Sequence, residues 1–295
     1  MNILVTGACG QLGSEMRVLS TRHPAHRYVF SDIRVPDDGP GTFRALDITS
    51  TEQVCALVQE YHIDLIVNCA AYTNVDRAEQ EESAARRINA EAVAVLAAAG
   101  TRVIHISTDY VFSGDGCVPY REEDPVAPRT AYGRTKLEGE WRLIEALPHA
   151  IIFRTAWLYS SFGGNFVKTM LRLGSERDEL RVVYDQVGTP TYAADLAEAV
   201  FAAIEAPEWH PGIYHFTNEG VCSWYDFTLE IFRQYSILPG RRPVQCRVVP
   251  ILSSEYTFST PRPHYSVLDK ALVKRTFGLS IPHWTDGLAR CLALL

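Results

Sequence analysis

The chain has 295 residues, of which 47% are hydrophobic and 21% charged, with a formal charge of −7 at neutral pH. That is enough apolar material for one large α/β domain, or for a large domain with a smaller one attached. The acidic balance argues against a nucleic-acid backbone or an anionic membrane surface as partner, although local arginines can still hold a small anion.

Seven cysteines fall singly along the chain, with no C-x-x-C pair and no H-E-x-x-H among the histidines. Reduced thiols in a cytoplasmic protein are therefore expected, and no structural metal. Met1 leads at once into Ile3-Leu4-Val5, which reads as a core strand rather than a signal peptide, and no apolar run approaches bilayer length.

In chain order, Asn2 to Thr6 is a short apolar strand running into glycine turns, and Leu12 to Ser20 has helical spacing. Tyr28 to Phe30 reads as a second strand, stopped by Ser31-Asp32. A helix is expected from about Thr51 to Tyr61, with Ser50 or Thr51 as its N-cap, and a strand over Asp64 to Asn68. A long alanine-rich helix follows from about Ser83 to Ala99 and stops at Gly100; Val103 to Ser107 is the next strand. Strands that are apolar throughout, alternating with helices, imply an α/β fold with a Rossmann-like doubly wound parallel sheet. After Arg154 the pattern loosens into glycine-, proline- and aromatic-rich stretches. The expected division is a first unit over 1–155 and a smaller C-terminal substrate-binding region over 156–295, with the helix near 193–205 returning to the first unit.

Gly7, Gly10 and Gly13 form G-x-x-G-x-x-G directly after the first strand and at the start of the first helix. A tight turn, close backbone approach and a helix N-terminus aimed at an anion are what a dinucleotide pyrophosphate requires. Residues 1–155 thus read as an NAD(P)-binding domain, with Gly7, Gly10, Gln11, Leu12 and Gly13 at the turn. Asp32, about twenty residues on, is placed to accept hydrogen bonds from a ribose diol, which favours NADH. Arg34 would meet a 2′-phosphate instead, so NADPH stays open. Asp47 and Ile48 would lie beside the adenine, and the small-residue segment after Asn68, through Ala71, Tyr72 and Thr73, leaves room for backbone to approach the cofactor.

Tyr132 and Lys136 stand four apart, Y-x-x-x-K, at the start of a predicted helix, so phenol and ammonium share a face. A free tyrosine, with a pKa of about 10, is a poor acid–base catalyst at neutral pH. A neighbouring Lys cation is expected to lower that value. Ser107-Thr108, ending the preceding strand, supplies a hydroxyl for a substrate carbonyl oxygen. Asn89 reads either as part of a water-linked proton path or as an ordinary polar helix residue.

With these residues assembled, the chain resembles the extended short-chain dehydrogenase/reductases and, more narrowly, the dTDP-4-dehydrorhamnose reductase family. The match runs through Thr6-Gly-Ala-Cys-Gly-Gln-Leu-Gly13, Asn68-Cys-Ala-Ala-Tyr-Thr-Asn-Val-Asp76, Ser107-Thr-Asp-Tyr-Val-Phe112 and Tyr132-Gly-Arg-Thr-Lys136. It continues through Arg154-Thr-Ala-Trp-Leu-Tyr159, Asn165-Phe-Val-Lys-Thr-Met170, Asp185-Gln-Val-Gly-Thr-Pro190 and Pro261-Arg-Pro263 with Ser266. The resemblance implies NADPH- or NADH-dependent reduction of the C4 carbonyl of dTDP-4-dehydro-β-L-rhamnose to dTDP-β-L-rhamnose, with Thr108, Tyr132 and Lys136 as the catalytic triad. It also implies that Thr73, Val75, Thr108, Asp109, Trp157, Asn165 and Arg262 surround the dTDP-sugar, with Trp157 as a wall of the sugar pocket and Arg262 as a diphosphate clamp.

Some members of that family dimerise around magnesium bridged by acidic side chains. Here Glu15 is present, but Ala194 follows Pro190-Thr-Tyr-Ala and the C-terminal Ala289-Arg-Cys-Leu-Ala-Leu-Leu has no acid. A monomer or weak homodimer without a bridging metal is therefore the expectation. Two other readings stay open. One is a sugar-nucleotide epimerase or dehydratase of the same fold, which would keep its NAD bound and consume none. The other is a non-catalytic regulatory subunit related to that of methionine adenosyltransferase, against which the intact triad weighs.

Overall fold

The computed structural model describes residues 1–35, 42–257 and 260–295. Its centre is a seven-stranded sheet in which every neighbouring pair is parallel. Across the sheet lie β11 (Gly212–His215), β6 (Ile151–Thr155), β5 (Arg102–Thr108), β4 (Leu65–Asn68), β1 (Asn2–Thr6), β2 (Arg27–Asp32) and β3 (Thr42–Ala45). The order reverses between β1 and β4, and in such sheets ligands bind beyond the carboxyl ends of the strands at that reversal.

Alternate residues of each strand feed separate cores. Ile3 and Val5 pack with Met16 of α1 (Gln11–Ser20), with Leu196 and Val200 of α8 (Ala193–Ile204) and with Val273 of α10 (Ala271–Phe277). Leu4 and Ile66 face the other way, onto Val54 of α2 (Thr51–Glu60), Val93 of α5 (Ala92–Ala98) and Leu143 of α6 (Ala131–Ala146). Each such side chain, fully withdrawn from water, stabilises the fold by roughly 1.5–3 kcal/mol.

The expected alanine-rich helix is not one uninterrupted α-helix. After α3 (Val75–Gln80), α4 (Glu82–Arg86) passes through a π-helical turn at Arg87–Glu91 before α5 begins. The cause lies next door, where a Cβ on Gly139 of α6 would stand 2.0 Å from the Asn89 carbonyl oxygen. Only a glycine lets α6 lie this close to the widened turn.

A third core gathers over the carboxyl end of the sheet. It joins α7 (Phe166–Glu176), α9 (Trp224–Ser236) and α11 (Trp284–Leu292) through Val167, Met170, Phe227, Ile231, Trp284 and Leu288. Three short strand pairs tie it down. These are β7 (Leu158–Tyr159) with β10 (Thr191–Tyr192), β8 (Glu179–Val183) with β13 (Arg247–Ile251), and β9 (Val187–Gly188) with β12 (Cys222–Ser223). No helix among the described residues is long and apolar enough to cross a membrane.

Candidate active site

The glycine turn leaves β1 at Gly7, whose φ of +64° is a left-handed conformation that side chains disfavour. A Cβ there would lie 2.6 Å from the Ala70 amide nitrogen, so the turn presses directly on the chain leaving β4. Gly13 permits a second close approach, 2.3 Å from the Gly7 carbonyl oxygen, which seats α1 on the turn. Helix α1 starts at Gly10 with no side-chain cap and no acidic residue in its first turn. Four backbone N–H groups at a helix start lack intrahelical partners, and the macrodipole there favours an anion. These residues fit a dinucleotide pyrophosphate.

Asp32 ends β2 as anticipated, but its carboxylate is already at work. Oδ2 accepts the Cys9 N–H at 3.0 Å and Oδ1 the Ile33 N–H at 2.8 Å, which braces the glycine turn; each oxygen keeps a lone pair for a ribose hydroxyl. Asp47 caps its own turn by accepting from Thr49 N–H and Oγ1, and those hydrogen bonds hold its carboxyl below the usual range. The side chains of Leu12 and Ile48 lie in the two cores flanking the sheet, so only their backbone is offered to a ligand. Gln11 reaches across to the third core, where its Oε1 accepts from Asn165 Nδ2 at 3.0 Å.

Asn89 binds the backbone of Tyr72 from both sides. Its Oδ1 accepts the Tyr72 N–H at 2.8 Å, and its Nδ2 donates to the Tyr72 carbonyl at 3.1 Å and to Thr135 Oγ1 at 3.2 Å. These bonds tie the Asn89 amide to the backbone of Tyr72 and so hold the segment that follows β4. The π turn is what aims the amide there.

Thr108 and Tyr132 come together at the carboxyl end of β5. The Thr130 side chain caps α6 by accepting from Gly133 N–H at 3.0 Å, and Gly133 has no room for a Cβ, which would stand 2.3 Å from the Tyr110 carbonyl oxygen. The first turn of α6 is thus pressed onto the loop after Thr108, and the Thr108 side chain works on the Tyr132 phenol in the direction that favours its ionised form. Burial drives the Tyr132 pKa upward, and the charge of Asp109 adds to the rise. The expected lowering by Lys136 is absent because the Lys136 amino group is turned the other way. Its Nζ donates to the Ile106 carbonyl at 2.6 Å and lies 3.3 Å from His105 Nε2. Burial brings the Lys136 pKa down to about 8, against the partly compensating charges of Glu140 and Cys69.

Below Lys136, Glu140 and Arg154 form a buried pair, with Nε to Oε1 at 2.9 Å and Nη2 to Oε2 at 2.6 Å. Asp109 is buried too. It accepts from Thr108 Oγ1 at 2.9 Å, while its Oδ2 has no partner among the described residues; burial raises its pKa to about 7.

Arg262 is held at 2.6 Å by Asp76, and its charge acts on the buried Tyr110 phenol. That links the first turn of α3 to the Pro261-Arg262-Pro263 segment. A cavity of about 90 Å³ opens beside it, with Tyr110, Asp115, Arg129, Arg262 and His264 in its lining. Asn165 is fully used as the N-cap of α7, accepting from Lys168 N–H at 3.1 Å and donating to the Ser160 carbonyl at 2.7 Å. Trp157 sits with φ +48° and stacks on Trp224, a residue that sequence reasoning passed over as one aromatic among many. Glu15 accepts from Ser160 Oγ at 2.6 Å, and Asp195 is paired with Arg290 at 2.7 Å.

The model of the RmlD substrate binding domain family matches residues 1–295. A dTDP-4-dehydrorhamnose reductase of Burkholderia thailandensis is 39% identical over 307 residues, covering 99% of this chain and 98% of its own length. Among solved structures, a dTDP-4-dehydrorhamnose reductase of Clostridium acetobutylicum superposes with a TM-score of 0.89 at 41% identity, covering 100% of this chain and 99% of that one. One from Bacillus anthracis, solved in complex with NADP, gives a TM-score of 0.86 at 36% identity over 100% and 99% of the two chains. Full-length matches in sequence and in structure agree, and the chain belongs to the RmlD substrate binding domain family.

Proposed function

We propose that the chain is an NAD(P)H-dependent dTDP-4-dehydrorhamnose reductase, converting the C4 carbonyl of dTDP-4-dehydro-β-L-rhamnose to the alcohol of dTDP-β-L-rhamnose. The observation that carries this reading is Thr108, at the carboxyl end of β5, acting on the buried phenol of Tyr132 in the first turn of α6. Gly7, Gly10 and Gly13 with the start of α1 would hold the pyrophosphate, and Asp32 the adenosine ribose. A bound reduced nicotinamide supplies hydride to C4.

Tyr132 donates the proton. Its burial keeps the phenol protonated at neutral pH, and an alkoxide is a stronger base than a phenolate, so the transfer runs downhill. Thr108 orients the carbonyl oxygen, and Trp157, with Arg262, the Thr73–Val75 loop, Asp109 and Asn165, would bound the sugar nucleotide. Seven free cysteines fit a cytoplasmic setting, and we read the chain as a monomer or weak homodimer with no bridging metal.

The test is Tyr132→Phe. Coenzyme binding, followed by fluorescence titration, should stay within a few-fold of the parent, while turnover of the 4-keto sugar nucleotide drops at least ~10²-fold. Near-normal turnover would sink the assignment.

A further inference from the structure

A buried polar chain crosses three strands of the sheet and ends on Lys136. Thr6 Oγ1 donates to Asn68 Oδ1 at 2.7 Å, and the Ala70 N–H donates to the same oxygen at 3.2 Å. A backbone N–H can only donate, so the amide orientation of Asn68 is determined, and Nδ2 faces His105 Nδ1 at 3.0 Å as a donor. His105 Nδ1 therefore carries no proton. The imidazole is fully buried, and that burial pushes its pKa well down, so the ring is neutral with its proton on Nε2. That N–H points at Lys136 Nζ, 3.3 Å away.

An ammonium offers three donors and no acceptor. Facing an imidazole N–H, it makes no hydrogen bond, whereas a neutral amine accepts one while still donating to the Ile106 carbonyl. We infer that His105 is a positioning residue for Lys136: its Nε2–H, oriented by Asn68, accommodates the uncharged amine beside Ile106 and turns the charged ammonium out toward Tyr132 and the coenzyme site. This rests on the reductase reading above. The charged or titratable groups acting on Lys136 are Glu140 from its own helix, Cys69 following β4, and His105 of β5.

Two measurements test it. In apo protein carrying nitrogen-15 histidine, the imidazole resonances lost in His105→Gln should show the Nε2–H neutral form across neutral pH. An Nδ1–H form or an imidazolium would overturn the inference, and the variant serves here only to assign the resonances. The second measurement uses the kinetics of His105→Gln, whose side-chain amide can turn its oxygen to the ammonium and hold it beside Ile106. The alkaline limb of kcat should then move up by about one pH unit and neutral kcat fall several-fold, with the sugar-nucleotide KM unchanged. A pH profile superimposable on the parent's, with only a lower Tm, would reduce His105 to packing and overturn the proposal. Failure of the reductase reading looks different: the parent enzyme would show no turnover, while the histidine spectrum would still report the tautomer.

Discussion

Trp157 lies flat on Trp224, ring centroids 3.4 Å apart and planes within 8° of parallel, while its own backbone holds φ at +48°. A bulky residue in that conformation costs on the order of 1–3 kcal/mol unless its surroundings enforce it. Here the enforcement comes from the stack and from Gly188, where a Cβ would come 2.7 Å from the Trp157 ring. Trp224→Leu should therefore loosen the indole proposed to border the sugar. Steady-state kinetics should show KM for the sugar nucleotide rising about tenfold with a smaller loss in kcat, and denaturation should show a loss of about 1 kcal/mol. Unchanged KM would mean that Trp157 keeps its place without the stack.

The Glu140–Arg154 pair is buried on both sides, so removing one partner strands the other's charge. Glu140→Gln should destabilise the fold by roughly 3–5 kcal/mol in denaturant titrations. A double Glu140→Gln, Arg154→Met variant should recover part of that loss, since the remaining groups are neutral. If the single and double variants lose equally, the pair's charges are not the source of the effect.

Asp109 supplies a pH signature. Its folded pKa of about 7 stands well above the ordinary aspartate range, so the folded state binds this proton more tightly than the unfolded chain does. The contribution is complete below the unfolded value and disappears as pH rises through about 7. Asp109→Asn should remove this dependence, and its stability relative to the parent should improve by on the order of 4 kcal/mol between about pH 4 and pH 8. Glu15 and Glu122, also raised by burial, titrate in both proteins and cancel in the difference. A pH-independent difference would contradict the assignment.

Two glycines of the turn should respond differently to alanine. At Gly7 the left-handed φ and the 2.6 Å approach to Ala70 leave a methyl no room, and Gly7→Ala should lose more than ~2 kcal/mol along with coenzyme binding. At Gly10 the backbone is extended and the nearest atom to a Cβ is 3.2 Å away. Gly10→Ala should fold with a loss under ~1 kcal/mol, and titration should show a larger relative loss in coenzyme affinity. Equal losses at the two positions would remove the distinction between packing and ligand approach.

The parts legible in the sequence are those fixed by short-range pattern. Ile3-Leu4-Val5 declares a strand buried on both faces, the glycines that follow declare the turn, and Ser107-Thr108 and Tyr132 mark the end of β5 and the start of α6. What stayed hidden depends on contacts between distant segments. β11 is only four residues long, follows a proline-rich stretch, and acquires its identity by pairing Ile213 with Ile152. The π turn leaves no mark in an alanine-rich run, where many spacings are equally apolar. His105 reads as one more inward strand residue until Asn68 and Lys136 are seen on either side of it. The direction of Lys136 was unreadable for the same reason: four-residue spacing places two side chains on one face without saying which way each leans.

The widened turn at Arg87–Glu91 has an evolutionary and engineering corollary. Five residues there do the winding that an α-helix accomplishes with fewer, so the segment carries a surplus in the local residue count. Deleting one residue between Arg87 and Glu91 should therefore be tolerated far better by the helix than by the enzyme. The rod would straighten and keep its apolar stripe, but Asn89 would swing away from Tyr72. In an insertion–deletion library, clones shortened at this point should be soluble and folded yet poor at retaining coenzyme.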